Sequence, residues 1–249
     1  MAGAALPGRL SWQTATVREL LDETPSTKSI VLELPGWAGH RAGQHVDVRL
    51  TAEDGYQAQR SYSLASAPDQ SGLMLTVQRL EDGEVSPYLV DVLEPGDPLE
   101  LRGPIGGYFV WEAALGGPLL LIGGGSGIVP LRAIVEHHAA IGSQVPLRML
   151  YSARSQEDLI YRAELERLAG AGELELEVAL TRAWPEDWQG HRGRVDAQLL
   201  GRVAWEPAAR ALVYVCGPSG FVETVANTLV ELGHDARRVR TERFGPTGS

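Results

Sequence analysis

Over roughly the first 110 residues, apolar side chains recur at every second position, the period of half-buried strands. In His45-Val46-Asp47-Val48-Arg49-Leu50 the valines and leucine face one way and the polar residues the other. Leu73, Leu75 and Val77 repeat the pattern, as do Ile30, Leu32 and Leu34, with Asp54-Gly55 and Pro95-Gly96 as turn signals. Short strands punctuated in this way predict a small antiparallel barrel. Beyond Trp111 the period changes. A strand at 118–122 meets a glycine loop, and a helical pattern runs from Ile128 to Ile141. A strand near 146–151, a helix around 158–169, a strand at 173–180, a strand over Leu212–Cys216 and a helix from about Phe221 to Leu232 follow. Strands alternating with helices predict a parallel sheet covered on both faces. Ala113-Ala114-Leu115-Gly116-Gly117 reads as a short linker, which divides the chain into domains 1–112 and 118–249.

Composition narrows the function. The chain has 249 residues, 44% hydrophobic and 22% charged, the mix of a globular protein with room for two modest cores. No apolar run approaches the roughly 20 residues of a membrane span. The N-terminus, with Pro7 and Arg9, lacks a signal-peptide pattern, so a cytoplasmic protein is expected. Cys216 is the only cysteine, which leaves no intrachain disulfide, no cysteine-ligated iron–sulfur cluster and no Cys-rich zinc site; no metal is expected. Net charge of −10 disfavours nucleic acid as a partner. Residues 1–110 carry 8 basic and 15 acidic side chains against 14 and 17 in the remainder, so the second half is the relatively arginine-rich one.

Gly123-Gly124-Gly125-Ser126-Gly127-Ile128-Val129-Pro130 sits between an apolar strand and a helix. Glycines there let backbone N–H groups approach a pyrophosphate, and a helix N-terminus adds favourable partial charge. Gly124, Gly125, Ser126, Gly127 and Pro130 are the candidate contacts. The loop departs from the G-x-G-x-x-G dinucleotide fingerprint, because its last position is Ile128 or Pro130. No acidic residue ends the next strand; Tyr151-Ser152-Ala153-Arg154 stands there, and arginine suits a 2′-phosphate better than a bare ribose hydroxyl.

In the first half, Arg60-Ser61-Tyr62-Ser63 lies in a predicted strand, followed by Gly83-Glu84-Val85-Ser86-Pro87-Tyr88-Leu89, in which Ser86 is a suitable helix N-cap and Pro87 a suitable first helical residue. Cys216-Gly217-Pro218 ends the fourth apolar strand, where ligands of open parallel sheets gather. Taken in this order with the glycine loop, the motifs make the chain resemble the ferredoxin–NADP reductase superfamily: an antiparallel six-stranded flavin-binding β-barrel, then an α/β parallel-sheet NAD(P)-binding domain. The likeness covers nearly the whole sequence.

The resemblance implies a role for each matching position. Arg60, Ser61, Tyr62 and Ser63 would hold the flavin, with Arg60 on its phosphate, Tyr62 stacked on the ring and Ser63 near N5. Gly83, Val85 and Ser86 would carry its pyrophosphate. Cys216, Gly217 and Pro218 would sit beside the nicotinamide, Cys216 as a positioning contact and not a nucleophile. Glu242 and Phe244, in Thr241-Glu242-Arg243-Phe244-Gly245, match a glutamate and an aromatic that lie near the flavin in relatives, although five residues follow Phe244 here. Ser63, Cys216 and Glu242 are thus the catalytic candidates. Ser152, Arg154, Thr181, Arg182 and Arg194 are candidates for a 2′-phosphate, so FAD and NADP(H) are expected, with NAD(H) left open. The implied activity is a flavin-dependent reductase passing electrons from NAD(P)H to a soluble carrier protein: a ferredoxin, a flavodoxin or an oxygenase component. A monomer is expected. The same motifs serve a flavin reductase or a diaphorase acting on small acceptors, and a non-catalytic flavin-binding electron-transfer or regulatory subunit is the reading of a different class.

Overall fold

In the computed structural model, residues 10–68, 70 and 72–245 are described, so the N-terminal stretch with Pro7 and Arg9 lies outside them. The period-two half forms β1 (Gln13–Thr24), β2 (Thr27–Glu33), β3 (His45–Thr51), β4 (Gln57–Ser63), β5 (Leu73–Gln78) and β6 (Pro98–Ile105). They make one antiparallel sheet in the order β4-β3-β6-β1-β2-β5. A bridge between Leu64 and Leu75 joins the two ends and closes the barrel. Val17, Ile30, Leu32, Val46, Val48, Leu75, Leu99 and Leu101, each no more than 1% exposed, fill it. Burying such a side chain contributes about 1.5–3 kcal/mol.

One polar position of β3 departs from the alternation. Asp47 is only 6% exposed, although period two would face it to water. It accepts hydrogen bonds from Arg102 Nη2 (2.6 Å) and Ser61 Oγ (2.7 Å). Burial alone would raise its pKa; these two donors outweigh that and hold the carboxyl below its usual value. A buried carboxylate needs such partners, and neighbouring strands β6 and β4 supply them.

The second half contains β7 (Leu119–Gly124), α1 (Ile128–Ala140), β8 (Leu147–Ala153), α2 (Arg162–Gly170), β9 (Glu175–Leu180), β10 (His191–Arg192), α3 (Ala197–Val203), β11 (Leu212–Pro218), α4 (Ser219–Glu231) and β12 (Val239–Phe244). All pairings are parallel, in the order β10-β9-β8-β7-β11-β12. β7 and β11 are buried almost throughout, as central parallel strands covered on both faces must be. The sequence pattern does not announce β10, α3 or β12. β10 has two residues, α3 is a short helix capped by Asp196 Oδ1 on Leu199 N (2.8 Å), and β12 is a charged edge strand. α2 begins later than the pattern predicts, because Tyr161 adopts a left-handed backbone (φ 57°) immediately before it.

The two halves share side chains. Ala42, Ala65, Phe109 and Trp111 belong to the same buried cluster as Leu121, Leu131, Ile134, Met149 and Tyr214. The rings of Phe109 and Tyr214 meet edge to face at 5.1 Å, and Trp111 lies 5.8 Å from His137 on α1. Polar links reinforce the seam: Tyr214 Oη and Arg240 Nη1 both donate to the Val110 carbonyl (2.7 Å each). Arg132 on α1 donates to the Ala65 carbonyl (2.9 Å) and pairs with Glu164 on α2 (2.8 Å), while the Tyr161 hydroxyl donates to Thr76 on β5.

Candidate active site between the two halves

β4 ends at Ser63 and β12 carries Glu242, positions 179 apart in sequence, and Ser63 Oγ donates to Glu242 Oε1 at 3.2 Å. β12 pairs in parallel with β11, which sets Glu242 opposite Cys216 and Phe244 opposite Pro218. The fold therefore brings Ser63, Cys216 and Glu242, the three catalytic candidates, to one place. Phe244, 38% exposed, lies at the same sheet end.

Cys216 is 1% exposed, and burial together with the Glu242 charge pushes its thiol well above the usual range. A neutral buried thiol is no nucleophile, in keeping with a positioning role. Burial also raises the pKa of Glu242, opposed by the Ser63 hydrogen bond. Its folded-state value exceeds the unfolded one, so the folded protein holds this proton more firmly. Stability from the group is present at low pH and is lost as pH rises from the ordinary value of 4.5 through the raised one. Glu242→Gln is therefore expected to raise the unfolding temperature at neutral pH and to weaken the decline in stability above pH 4.5, as thermal melts across a pH series would read.

The phosphate candidates of the barrel also converge. Arg60 on β4 bonds through Nη2 to Glu84 Oε2 (2.7 Å), inside the Gly83–Ser86 motif, and Tyr56 Oη donates to Glu84 Oε1 (2.7 Å). These two donors, Tyr56 first, hold the Glu84 carboxyl below its usual value. Glu84 escaped the sequence reading, yet it is what holds Arg60 at the motif. Tyr62 packs on the barrel core, and burial pushes its phenol up to about 12, so it stays protonated at neutral pH. The Ser61 hydroxyl is spent on Asp47. Ser86 does not cap a helix, contrary to expectation. Its Oγ accepts from the Leu80 N–H (3.0 Å), although a short helical segment does begin here, the π-helix Tyr88–Val92 with Pro87 at its N-cap. The loop in front of that helix has claimed the hydroxyl. A Cβ on Gly83 would stand 2.8 Å from that same Oγ, so glycine is what lets the loop close here.

In the glycine loop, residues Gly125–Gly127 form a single tight turn that leads into α1. A Cβ built on Gly127 would overlap the Cys216 carbonyl oxygen and stand 2.7 Å from the Gly217 nitrogen. The loop and the Cys216-Gly217-Pro218 segment thus touch backbone to backbone. Next to them a cavity of about 470 Å³ opens, lined by Ser152, Arg154, Thr181, Arg182 and Arg194, with Phe221 and Thr224 on the α4 side. All five 2′-phosphate candidates line it. No acidic side chain does, and Arg154, Arg182 and Arg194 have no ion pair among the described residues. Three guanidinium groups without an ion pair among the described residues, beside a glycine cradle, can receive the phosphates of a nicotinamide dinucleotide. Among the described residues no cluster could hold a metal ion, and no helix is long and apolar enough to cross a membrane.

Comparison with known proteins agrees with this geometry. The family models described as Oxidoreductase FAD-binding domain and Oxidoreductase NAD-binding domain match residues 14–110 and 121–227. Ferredoxin–NADP reductase B of Sorangium cellulosum is 36% identical over 237 residues, covering 92% of this chain and 91% of that protein. The glycine betaine monooxygenase reductase subunit of Pseudomonas aeruginosa is 31% identical over 210 residues, which are 83% of this chain but 57% of the subunit. The chain thus spans most of the first relative and little more than half of the second. The FAD/NAD-binding domain of a nitric oxide dioxygenase from Vibrio cholerae superposes with a TM-score of 0.83 at 28% identity, covering 94% of this chain and 99% of that one. The chain belongs to the ferredoxin–NADP reductase superfamily, as an FAD-dependent NAD(P)H oxidoreductase.

Proposed function

We propose that the protein takes reducing equivalents from NADPH and delivers electrons to a soluble carrier, a ferredoxin, flavodoxin or oxygenase component, working as a cytoplasmic monomer. Residues 1–112 would serve as the flavin module and 118–249 as the nicotinamide module. The observation that carries the reading is the contact of Ser63 with Glu242 beside Cys216, where the two modules meet. Named relatives that reduce ferredoxin or serve a monooxygenase support the choice of acceptor.

Bound FAD supplies a centre that accepts a hydride and can release two electrons singly. The chain's own residues do the rest. Arg60 neutralises a flavin phosphate, sharing its donors with Glu84, and Tyr62 offers a neutral ring for stacking. Ser63 donates its hydroxyl proton to a hydrogen bond with Glu242 at the seam, where burial raises the carboxyl's pKa. The close approach of Gly127 to Cys216 supports entry of a dinucleotide along this loop. Proximity of this kind removes much of the entropic barrier to transfer.

The preference for NADPH rests on the arginine-lined cavity. Arg154→Ala and Arg182→Ala are each expected to lower kcat/KM for NADPH by about 10- to 100-fold, the loss of one charge-assisted hydrogen bond of about 1.5–3 kcal/mol. The values for NADH should stay within about threefold of the parent. Anaerobic bleaching of the yellow protein by each nucleotide, then reoxidation by ferredoxin, flavodoxin or free flavin, tests the whole assignment. A parent enzyme at least about tenfold better with NADH would overturn the nucleotide preference, and reoxidation by free flavin alone would overturn the carrier.

A further inference from the structure

Tyr161 has a backbone conformation that its residue type does not favour. Its φ of 57° and ψ of 26° lie in the left-handed region, which is uncommon for an aromatic residue. Such strain persists only where the surroundings over-determine it, and it gathers where a side chain must be aimed. The residue is buried, and the barrel holds it at both ends. Its hydroxyl donates to Thr76 Oγ1 on β5, and its N–H donates to Glu23 Oε2 on β1 (3.3 Å). Ser29 on β2, directly opposite Thr76 in register, joins the two. Its hydroxyl donates to Glu23 Oε1 (2.6 Å) and lies 2.8 Å from Thr76 Oγ1. With the Ser29 proton committed to Glu23, Thr76 is the donor to Ser29. The bonds run one way, from Tyr161 through Thr76 and Ser29 to the Glu23 carboxyl, and the Tyr161 N–H closes the ring.

β5 leads from this ring of bonds to the candidate active site. Leu75 and Val77 point into the barrel, so Met74 and Thr76 face the other half, and Met74 packs on its core. Along its free edge β5 holds the segment that follows Ser63. Leu64 bridges to Leu75, the Ala65 N–H donates to the Met74 carbonyl (2.8 Å), and the Met74 N–H donates to Ser66 Oγ (3.1 Å). A shift of β5 is therefore a shift of Ser63. In the parallel sheet, β8, which precedes Tyr161, is separated by β7 and β11 from β12, which carries Glu242. The barrel is thus gripped on one flank by Tyr161 and on the other at Ser63 and Glu242.

We propose that Tyr161 is a positioning residue for electron input: by fixing β5 against the nicotinamide-binding half, it sets the approach of Ser63 to Glu242 and Cys216. This rests on nicotinamide and flavin meeting at that seam. Transfer between positioned reactants falls steeply with small displacements, and the Tyr161 hydroxyl touches no residue assigned to a phosphate. Its loss should therefore act on rate and leave nucleotide affinity alone.

The test compares flavin-loaded parent, Tyr161→Phe and Thr76→Ser. Tyr161→Phe keeps the buried ring and removes the hydroxyl that joins the halves; Thr76→Ser keeps the acceptor. In anaerobic stopped flow with NADPH and with NADH, the limiting rate of flavin reduction should fall about 10-fold in Tyr161→Phe, equivalent to about 1.4 kcal/mol. The nucleotide concentration at half-saturation should stay within about twofold of the parent, and Thr76→Ser should reduce at the parent rate within the same margin. Amide hydrogen exchange read by mass spectrometry, without nucleotide, should quicken in Tyr161→Phe at 63–66 and 239–244 as well as at 73–78. A parent-like limiting rate in Tyr161→Phe would overturn the proposal. Exchange quickened only around 73–78 and 154–165 would do the same, by making Tyr161 a local stabilising residue. A rise in the half-saturating concentration as large as the fall in rate would place the effect on nucleotide binding and equally overturn it. A parent that neither nucleotide bleaches would remove the seam as the reaction site, and the positioning role with it.

Discussion

Gly127→Ala is expected to abolish nicotinamide-driven reduction, by about 100-fold or more, while flavin stays bound. The substituted methyl group would occupy the position of the Cys216 carbonyl oxygen and crowd the Gly217 nitrogen, and both are backbone atoms of a central strand. No rotamer change relieves such a clash, so the loop must move away from β11. Overpacking of this kind costs about 1–3 kcal/mol in stability. The functional loss is larger, because a displacement of about 1 Å in a positioned reactant can cost about 100-fold in rate. The contacts of Arg60, Glu84 and Tyr62 do not include Gly127 and should be untouched. A stopped-flow trace showing unimpaired bleaching by NADPH would refute this. So would loss of the flavin absorbance on purification.

Arg132→Leu is expected to lower stability by about 3–5 kcal/mol, the cost of leaving one member of a buried ion pair without the other. In a chain of this length that is a fall of roughly 6–20 °C in the melting temperature. The Arg132 side chain is 12% exposed; it bonds Glu164 Oε2, bonds the Ala65 carbonyl across the seam and lies 5.0 Å over the Tyr161 ring. Glu164 Oε1 is already buried without a hydrogen-bond partner. Burial raises the Glu164 pKa even with Arg132 opposing it, so without Arg132 it climbs further. The folded state then binds a proton that the unfolded state releases. The variant should gain stability relative to the parent as pH falls, and Arg132→Leu combined with Glu164→Gln should recover part of the loss. Urea titrations across a pH series provide the measurement; a deficit that does not change with pH would exclude a stranded carboxylate as its source.

The elements legible in the sequence were those whose period was long and unbroken. β3, β5, β7, β11, α1 and α4 each follow one hydrophobic rhythm; Cys216 lies near the end of β11, the loop at 123–130 at the end of β7 and Ser63 at the end of β4, and their proposed roles come from the resemblance of these motifs to the family. What stayed hidden depends on partners distant in the chain. Asp47 reads as a surface residue until Arg102 and Ser61 arrive from two other strands. Ser86 has the residue type of a cap, but the Leu80 N–H reaches it first. Arg132 interrupts an apolar run, Ile128 to Ile134, and that interruption was the available sign of a buried charge at the seam. The contact of Ser63 with Glu242 spans 179 positions, a separation that no local pattern encodes.

Trp111, Phe109, Ala42 and Ala65 give the seam a consequence for how the molecule melts. They come from the flavin-binding half, yet they are packed among residues of the nicotinamide-binding half. The cleavage point suggested by the Ala113–Gly117 segment thus separates two ligand modules without separating two hydrophobic interiors. Expressed alone, either fragment would present a greasy scar where Trp111 or Leu131 had been covered. A differential scanning calorimeter should accordingly record one cooperative endotherm for the intact polypeptide, with a calorimetric enthalpy matching the van't Hoff value.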